Sequence, residues 1–209
     1  MTNLRSYGDP CGIARALDLV GERWSLLVVR ELCFGPKRFT DLKEGITGAS
    51  ANVLSQRLRE LEGGGVVRKI TDGAAMYELT EWGRELHPIL VKLGLWGAKS
   101  GPPPKGALSA DALMVALEST FQPHVAEDLS ATYDLRLGSA RFNVRIASGR
   151  ISVLRGTPHE PDATIETDAV TLRSVVFAGA KLADAGVTIR GDSRVGRLFF
   201  RLFARPARH

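Results

Sequence analysis

The amino-acid sequence predicts an α+β protein in two domains, a mainly helical one carrying a short β-hairpin and a second one built on an antiparallel sheet. Three observations predict it. Apolar residues recur at helical spacing from Ile13 to Leu61, whereas apolar and polar residues alternate in short runs from Ala131 to Thr167. Between the two patterns lies Gly101-Pro102-Pro103-Pro104-Lys105-Gly106, whose three successive prolines cannot continue a helix and favour a stiff spacer. Residues 1–100 are read as the first domain, 101–106 as the linker and 107–209 as the second domain, with no repeat shared across the break.

Element by element, Asp9-Pro10 offers a cap and a first helical position. Ile13, Ala16, Leu17 and Val20 then form a stripe that Gly21 ends. Trp24, Leu27, Val28 and Leu32 mark a second helix, stopped at Phe34-Gly35-Pro36. A short third helix covers about Phe39 to Glu44. The fourth runs from a Ser50 cap to Glu62 and is terminated by Gly63-Gly64-Gly65. Two strands, Val66–Ile70 and Met76–Leu79, flank Asp72-Gly73, a strong hairpin-turn signal. Thr80 caps a last helix with Leu86, Ile89, Leu90, Leu93 and Trp96 on its apolar side.

Beyond the prolines, a helix over about Asp111–Phe121 precedes strands at Ala131–Leu137, Arg141–Ala147, Ile151–Leu154 and Ala163–Thr167. Helices near Ala169–Ala178 and Ser193–Phe203 enclose a short strand, Val187–Arg190. This half reads as α+β with an antiparallel sheet.

The chain has 209 residues, 44% hydrophobic and 24% charged, the mixture of a globular protein rather than a disordered one. The net charge of +5 is a mild pointer to an anionic partner. It is shared between the halves, so no polybasic tail stands out. Two cysteines are too few for a disulfide framework. No apolar run is long enough to span a bilayer, and Met1-Thr2-Asn3-Leu4-Arg5 has no signal core. A soluble cytoplasmic protein with reduced thiols and no membrane insertion is expected. His87, His124, His159 and His209 are scattered without metal-ligand spacing. Phosphate-loop, dinucleotide and nucleophile-elbow motifs are absent. No enzyme, metal or cofactor is expected.

The fourth helix carries the chemistry. Val53, Leu54, Leu58 and Leu61 share one side; Ala51, Asn52, Ser55, Gln56 and Arg59 share the other. Small, amide and basic side chains are the types that read base edges: Gln and Asn pair with adenine, Arg with guanine. Ser50 and Ala51 sit where free backbone N–H groups can meet phosphate. Arg68 and Lys69 lead to the hairpin tip, placed for a flanking phosphate or the minor groove, and Lys37 and Arg38 precede the third helix, placed for the phosphate backbone on the other side. Short helix, longer helix and basic hairpin outline a winged helix-turn-helix, with double-stranded DNA as partner. The plain alternative is a solvated amphipathic helix.

From about Cys11 to Trp96 the chain resembles the HxlR family of bacterial winged-helix regulators, relatives of the MarR family. The resemblance lies in Gly21-Glu22-Arg23-Trp24-Ser25-Leu26-Leu27, Gly35-Pro36-Lys37-Arg38-Phe39-Thr40-Asp41-Leu42, Leu54-Ser55-Gln56-Arg57-Leu58-Arg59-Glu60-Leu61-Glu62 and Tyr77-Glu78-Leu79-Thr80-Glu81-Trp82-Gly83. It implies a homodimer on a two-fold operator, joined through the terminal helices, here Ile13–Val20 and Leu86–Trp96. Gly63-Gly64-Gly65 departs from the family pattern before the wing. Some members carry a redox-sensing cysteine where Cys11 stands. A thiolate at a helix start is favoured by the dipole, so Cys11 is either a thiol switch or an inert cysteine. Cys33, between Leu32 and Phe34, is expected in the core.

The second half resembles the sterol-carrier-protein fold, through Phe142-Asn143-Val144-Arg145-Ile146, Gly149-Arg150-Ile151, Pro161-Asp162-Ala163-Thr164-Ile165, Val187-Thr188-Ile189-Arg190-Gly191-Asp192 and Leu198-Phe199-Phe200. The resemblance implies an apolar tunnel for a lipid or acyl chain. Phe121, Phe142, Val175, Phe177, Phe199 and Phe203 are the candidate lining, and the sequence does not separate a tunnel from a filled core. Arg194, Arg197 and Arg201 share one face of the last helix and either attract an acidic headgroup or are solvated. The leading expectation is a DNA-binding regulator modulated by an apolar ligand. The alternatives are a thiol sensor acting through Cys11 and a lipid carrier whose winged helix binds protein.

Overall fold

A computed structural model describes residues 6–72, 74–100 and 106–204. The expected turn at Gly73 and the proline run 101–105 lie outside the described residues. The chain divides into two compact units, Met1–Leu90 and Val91–His209.

The first unit opens with α1 (Gly12–Val20) and α2 (Ser25–Leu32). Cys11, not Asp9, is the N-cap residue of α1; Asp9 instead accepts the Cys11 N–H at 2.8 Å through its Oδ1. Trp24 enters α2 in the left-handed region at φ 81°, a strained conformation for a bulky side chain. Its ring is held between the Arg23 guanidinium, 4.8 Å from the ring centroid, and Gly48. Gly48, at φ +105°, turns the chain from α3 (Phe39–Gly45) into α4 (Ala51–Gly63), and a Cβ there would press on the Trp24 ring.

The end of α4 shows why three glycines follow it. Gly65 adopts φ +74°, its N–H bonds the Glu62 carbonyl at 3.0 Å, and the Val66 N–H bonds the Leu61 carbonyl at 2.9 Å. That is a Schellman stop, sealed by buried Leu61 and Val66. The departure from the family pattern therefore leaves an ordinary helix terminus.

Three strands form the wing, in order β1 (Lys37–Arg38), β3 (Ala74–Leu79), β2 (Val67–Asp72), all antiparallel. The sequence reading had no β1. Two residues are too few to show alternation, and the strand exists because β3 offers a free edge to Lys37 and Arg38. The single helix expected after Thr80 is two: α5 (Glu81–Arg84) and α6 (Leu86–Gly97). Pro88 stands in the first turn of α6, where its missing N–H costs no helical bond. Thr80 staples this corner, donating to the Gly65 carbonyl at 2.7 Å and accepting the Gly83 N–H at 2.9 Å. A Cβ on Gly83 would lie 2.1 Å from the Val66 carbonyl oxygen, so only glycine lets the chain pass. Val28, Val29, Leu42, Ile46, Leu54, Leu58, Leu61, Val66, Val67 and Leu79 form the core, and Cys33 packs against it as expected.

The second unit holds α7 (Ala110–Thr120) and a five-stranded sheet of order β6 (Arg150–Arg155), β5 (Ala140–Ala147), β4 (Ala131–Leu137), β7 (Ala163–Thr167), β8 (Thr188–Gly191). The expected antiparallel sheet is mixed, because β7 runs parallel to β4. Hydrophobic alternation tells which face of a strand is buried but carries no direction. Tyr133, Leu135, Phe142, Val144, Ile146 and Ile165 fill the buried face. The helix expected over 169–178 begins as α8 (Ala169–Arg173), capped by Asp168, and widens into a π-helical turn, Ser174–Ala178. Hydrogen bonds from Thr171 hold the Asp168 carboxyl below its usual range. The last helix, α9 (Ser193–Phe199), stops before Phe203, which instead pairs with Phe121 in an isolated bridge. Among the described residues, no helix is long and apolar enough to cross a membrane.

Candidate nucleic-acid interface

The orientation of α4 follows from its leucines. Leu54, Leu58 and Leu61 are fully buried, which fixes the rotation of the helix. The Ser50 Oγ accepts the Val53 N–H at 3.3 Å and satisfies one of the orphan donors of the first turn. The opposite flank is then exposed: Ser50, Ala51, Asn52, Gln56 and Arg59 face solvent, with Ser55 half-buried beside them. These residues lie where the sequence spacing put them.

A residue that the sequence reading passed over locks the helix. Arg57 is buried, and its Nη1 reaches Glu60 at 2.7 Å and Glu22 at 3.3 Å. It thereby ties α4 to the turn between α1 and α2. Glu60 also accepts from Gln56 Nε2 at 3.0 Å, so the Gln56 amide is aligned by its own helix before any base approaches. An arginine among leucines at helical spacing was the available signal.

Register sorts the four flanking cations. Lys37 pairs with Tyr77, and Tyr77 with Lys69; Arg38 pairs with Met76, and Arg68 with Glu78. Because side chains alternate across a strand, Lys37, Tyr77 and Lys69 share the face of buried Val67 and Leu79, while Arg38 and Arg68 share the other. Arg38 and Lys69 are exposed, and Arg68 is exposed with its Nε 2.6 Å from Glu78. Lys37 is different. Its ammonium lies 2.8 Å from the fully buried Glu31 carboxylate, and only 12% of its side chain is accessible. The sequence displayed its charge but not the acid behind it.

Cys11 is exposed and Cys33 half-buried, and neither forms a disulfide. Among the described residues, no group of three or more His, Cys, Asp or Glu side chains is placed to hold a metal.

The six residues expected to line an apolar tunnel are mostly packed. Phe142 and Phe199 are fully buried, Val175 and Phe203 nearly so, and Phe121 and Phe177 are half-buried. Phe199 sits 5.1 Å from the Tyr133 and Phe203 rings, edge to face. Burial pushes the Tyr133 phenol upward, with Asp162 adding to it. Asp111, buried at the start of α7, binds Arg155, whose guanidinium also lies 4.9 Å from the Phe142 ring centroid. A separate polar pocket of about 320 Å³ is lined by Thr132, Asn143, Arg145, His159 and neighbours, and by none of the six.

Helices α2 to α4 and the three-stranded wing define a winged helix-turn-helix protein. Residues 19–104 match the family described as HxlR-like helix-turn-helix. An uncharacterized HTH-type transcriptional regulator of Mycobacterium tuberculosis is 41% identical over 98 residues, 45% of this chain and 61% of that protein. The chain thus spans about three fifths of that relative's length. The uncharacterized HTH-type transcriptional regulator YvaP of Bacillus subtilis is 36% identical over 89 residues, 41% of this chain and 82% of that protein. The crystal structure of YtcD, also named an HTH-type transcriptional regulator, covers 42% of this chain and 94% of its own at 35% identity, with a TM-score of 0.41. The chain belongs to the HxlR-like helix-turn-helix family.

Proposed function

We propose that the chain is a DNA-binding transcriptional regulator that binds a two-fold operator as a homodimer. The observation that carries the reading is the exposed Ala51, Asn52, Gln56 and Arg59 flank of α4, held outward by buried leucines and a capped first turn. Asn52, Gln56 and Arg59 read bases, with Ser55 at the edge. Ser50 and Ala51 offer backbone N–H groups to phosphate; Arg38, Arg68 and Lys69 grip the backbone beside them. Lys37 supports this surface from behind.

Two helices support the dimer. α1 leaves Ile13 and Leu17 exposed, and α6 leaves Ile89, Leu93, Leu95 and Trp96 exposed, Trp96 at 73%. Apolar side chains of this size on helices point to burial against a second copy. Selection of bound duplexes from a random pool tests the reading. The expected product is a two-fold sequence with half-sites about one turn, roughly 34–36 Å, apart. Recovery of no common sequence, or of a single half-site only, overturns it.

The second unit is proposed as a sterol-carrier-like module whose apolar ligand modulates operator affinity. Its support is the π-helical turn carrying Val175 and Phe177, a distortion common at functional sites. An operator titration repeated with acyl ligands is expected to shift affinity about 5- to 150-fold, the ordinary size of such coupling. Identical curves with and without ligand exclude the coupling.

A further inference from the structure

The open face of the second unit's sheet carries a cation pattern that its fold does not explain. Register places Arg136 on β4, Arg141 and Arg145 on β5, Arg150 on β6 and Arg190 on β8 on this face. The acids on its strands are Asp134 on β4 and Glu166 on β7, and Asp162, which accepts the Thr132 N–H at 2.7 Å, borders it beside Arg145. Asp134 is buried and takes the Arg136 guanidinium at 2.8 Å, and Glu166 lies 4.0 Å from the same group. Asp134 and Glu166 are therefore committed to one arginine.

Four arginines remain, all exposed: Arg141, Arg145, Arg150 and Arg190. Among the described residues, Arg141 reaches only the Thr157 hydroxyl, at 3.4 Å, and no ion pair or hydrogen bond engages the side chains of Arg145, Arg150 or Arg190. Their placement costs stability. Arg141 stands directly opposite Arg136, and Arg145 is diagonal to Arg150, because Arg145 pairs with Ser152. Like charges so placed across strands repel.

An anion on this face would relieve that repulsion, and the spacing selects its kind. From β6 to β8 the face spans four strand intervals, roughly 19 Å. A small anion cannot bridge that distance, whereas a duplex presents a charge about every 1.7 Å of its axis. The cations are all arginines, whose planar forks match phosphate. Between them lie Thr132, Ser152, Thr164 and Thr188, short hydroxyl donors of the sort that contact a nucleic-acid backbone. Leu154 is the one large apolar side chain at these outward positions, too little to enter a bilayer.

We propose that this face is a second, sequence-independent contact for the phosphate backbone of duplex DNA, using Arg141, Arg145, Arg150 and Arg190. The proposal rests on the reading of the chain as a DNA-binding regulator. It gives the second unit a role in affinity that requires no ligand.

The test is the salt dependence of full-chain binding to an unrelated duplex and to the selected operator, read by fluorescence anisotropy. Each phosphate contact contributes about 0.9 to the slope of log affinity against log salt. Replacing the four arginines with alanine is expected to lower the slope by about 2–4 on both duplexes. Replacing all four with lysine, which keeps the charge, is expected to hold the slope. Replacing Arg194, Arg197 and Arg201 with alanine removes exposed charge elsewhere in the unit and is expected to change it by less than about 0.5.

An unmoved slope in the four-alanine variant overturns the proposal, as does an equal loss per charge from the second set. Equal behaviour of the alanine and lysine variants also overturns it. Binding of the wild-type chain to phosphatidylserine vesicles that depends on these arginines, with an unmoved DNA slope, assigns the face to a membrane surface instead. The operator reading fails separately: it falls if selection from a random pool recovers no common sequence, whatever the four-alanine variant does. If the wild-type chain binds no duplex, both fall.

Discussion

Arg59→Ala is expected to weaken operator binding by about 1–3 kcal/mol, roughly 5- to 150-fold, and to relax the preference at one base position. Arg59 is exposed on α4 and, among the described residues, no ion pair or hydrogen bond engages its side chain, so the substitution removes no polar contact of the fold. Its thermal unfolding should match the wild type, which separates lost recognition from lost structure. Gln56 is the informative contrast. Its amide is already bonded to Glu60, so a base must compete with that bond and Gln56→Ala is expected to lose less. Arg38→Ala or Arg68→Ala should weaken binding to every sequence and lower the salt slope by about 0.9 each. Titrating operator duplexes with single-base changes checks all of these. If Arg59→Ala lowers affinity for operator and scrambled duplex by the same factor, Arg59 contacts phosphate and the base-reading assignment fails.

The exposed flank of α4 was legible because three local signals agreed on it. Ser50 caps, Leu54, Leu58 and Leu61 recur at helical spacing, and the opposite flank carries small, amide and basic side chains. Such agreement fixes a helix and its rotation without tertiary information. Lys37 shows where such local signals stop. Its sequence neighbours, Pro36 and Arg38, say nothing of Glu31 six residues back, and a glutamate on a short helix is ordinarily exposed. Only the packing of α2 against the end of α3 makes Glu31 a buried acid. Trp24 has the same history: nothing local forces a tryptophan into φ 81°, and the ring lies against Gly48 in the turn between α3 and α4. In the second unit, the limits of β4 and β7 matched their alternation, yet the parallel pairing of those strands did not show in it. The arginines of the open sheet face were individually visible. Their convergence needed the register of five strands.

Glu31 carries the largest expected effect on stability. Its side chain is inaccessible, with Oε1 2.9 Å from Arg30 Nη2 and Oε2 2.8 Å from Lys37 Nζ. A Cβ placed on Gly45 would lie 2.3 Å from that same Oε2, so the carboxylate is also pressed against the last residue of α3. One side chain thus joins α2, the edge strand of the wing and the helix that leads into the reading helix. Glu31→Ala removes the carboxylate that the 12%-accessible Lys37 faces, and is expected to cost about 3–5 kcal/mol. The shift in urea midpoint measures it, and a loss under about 1 kcal/mol would show that Lys37 finds water instead. Removing both charges should recover most of the stability, because an apolar pair of similar volume replaces a buried ion pair at little cost. Glu31→Leu combined with Lys37→Met is the variant to make. The same experiment decides what Lys37 does. The sequence placed it on phosphate, where its loss would flatten the salt dependence of DNA binding. The Glu31 pair places it in the scaffold, where Lys37→Met alone lowers the unfolding midpoint and leaves the salt slope unchanged.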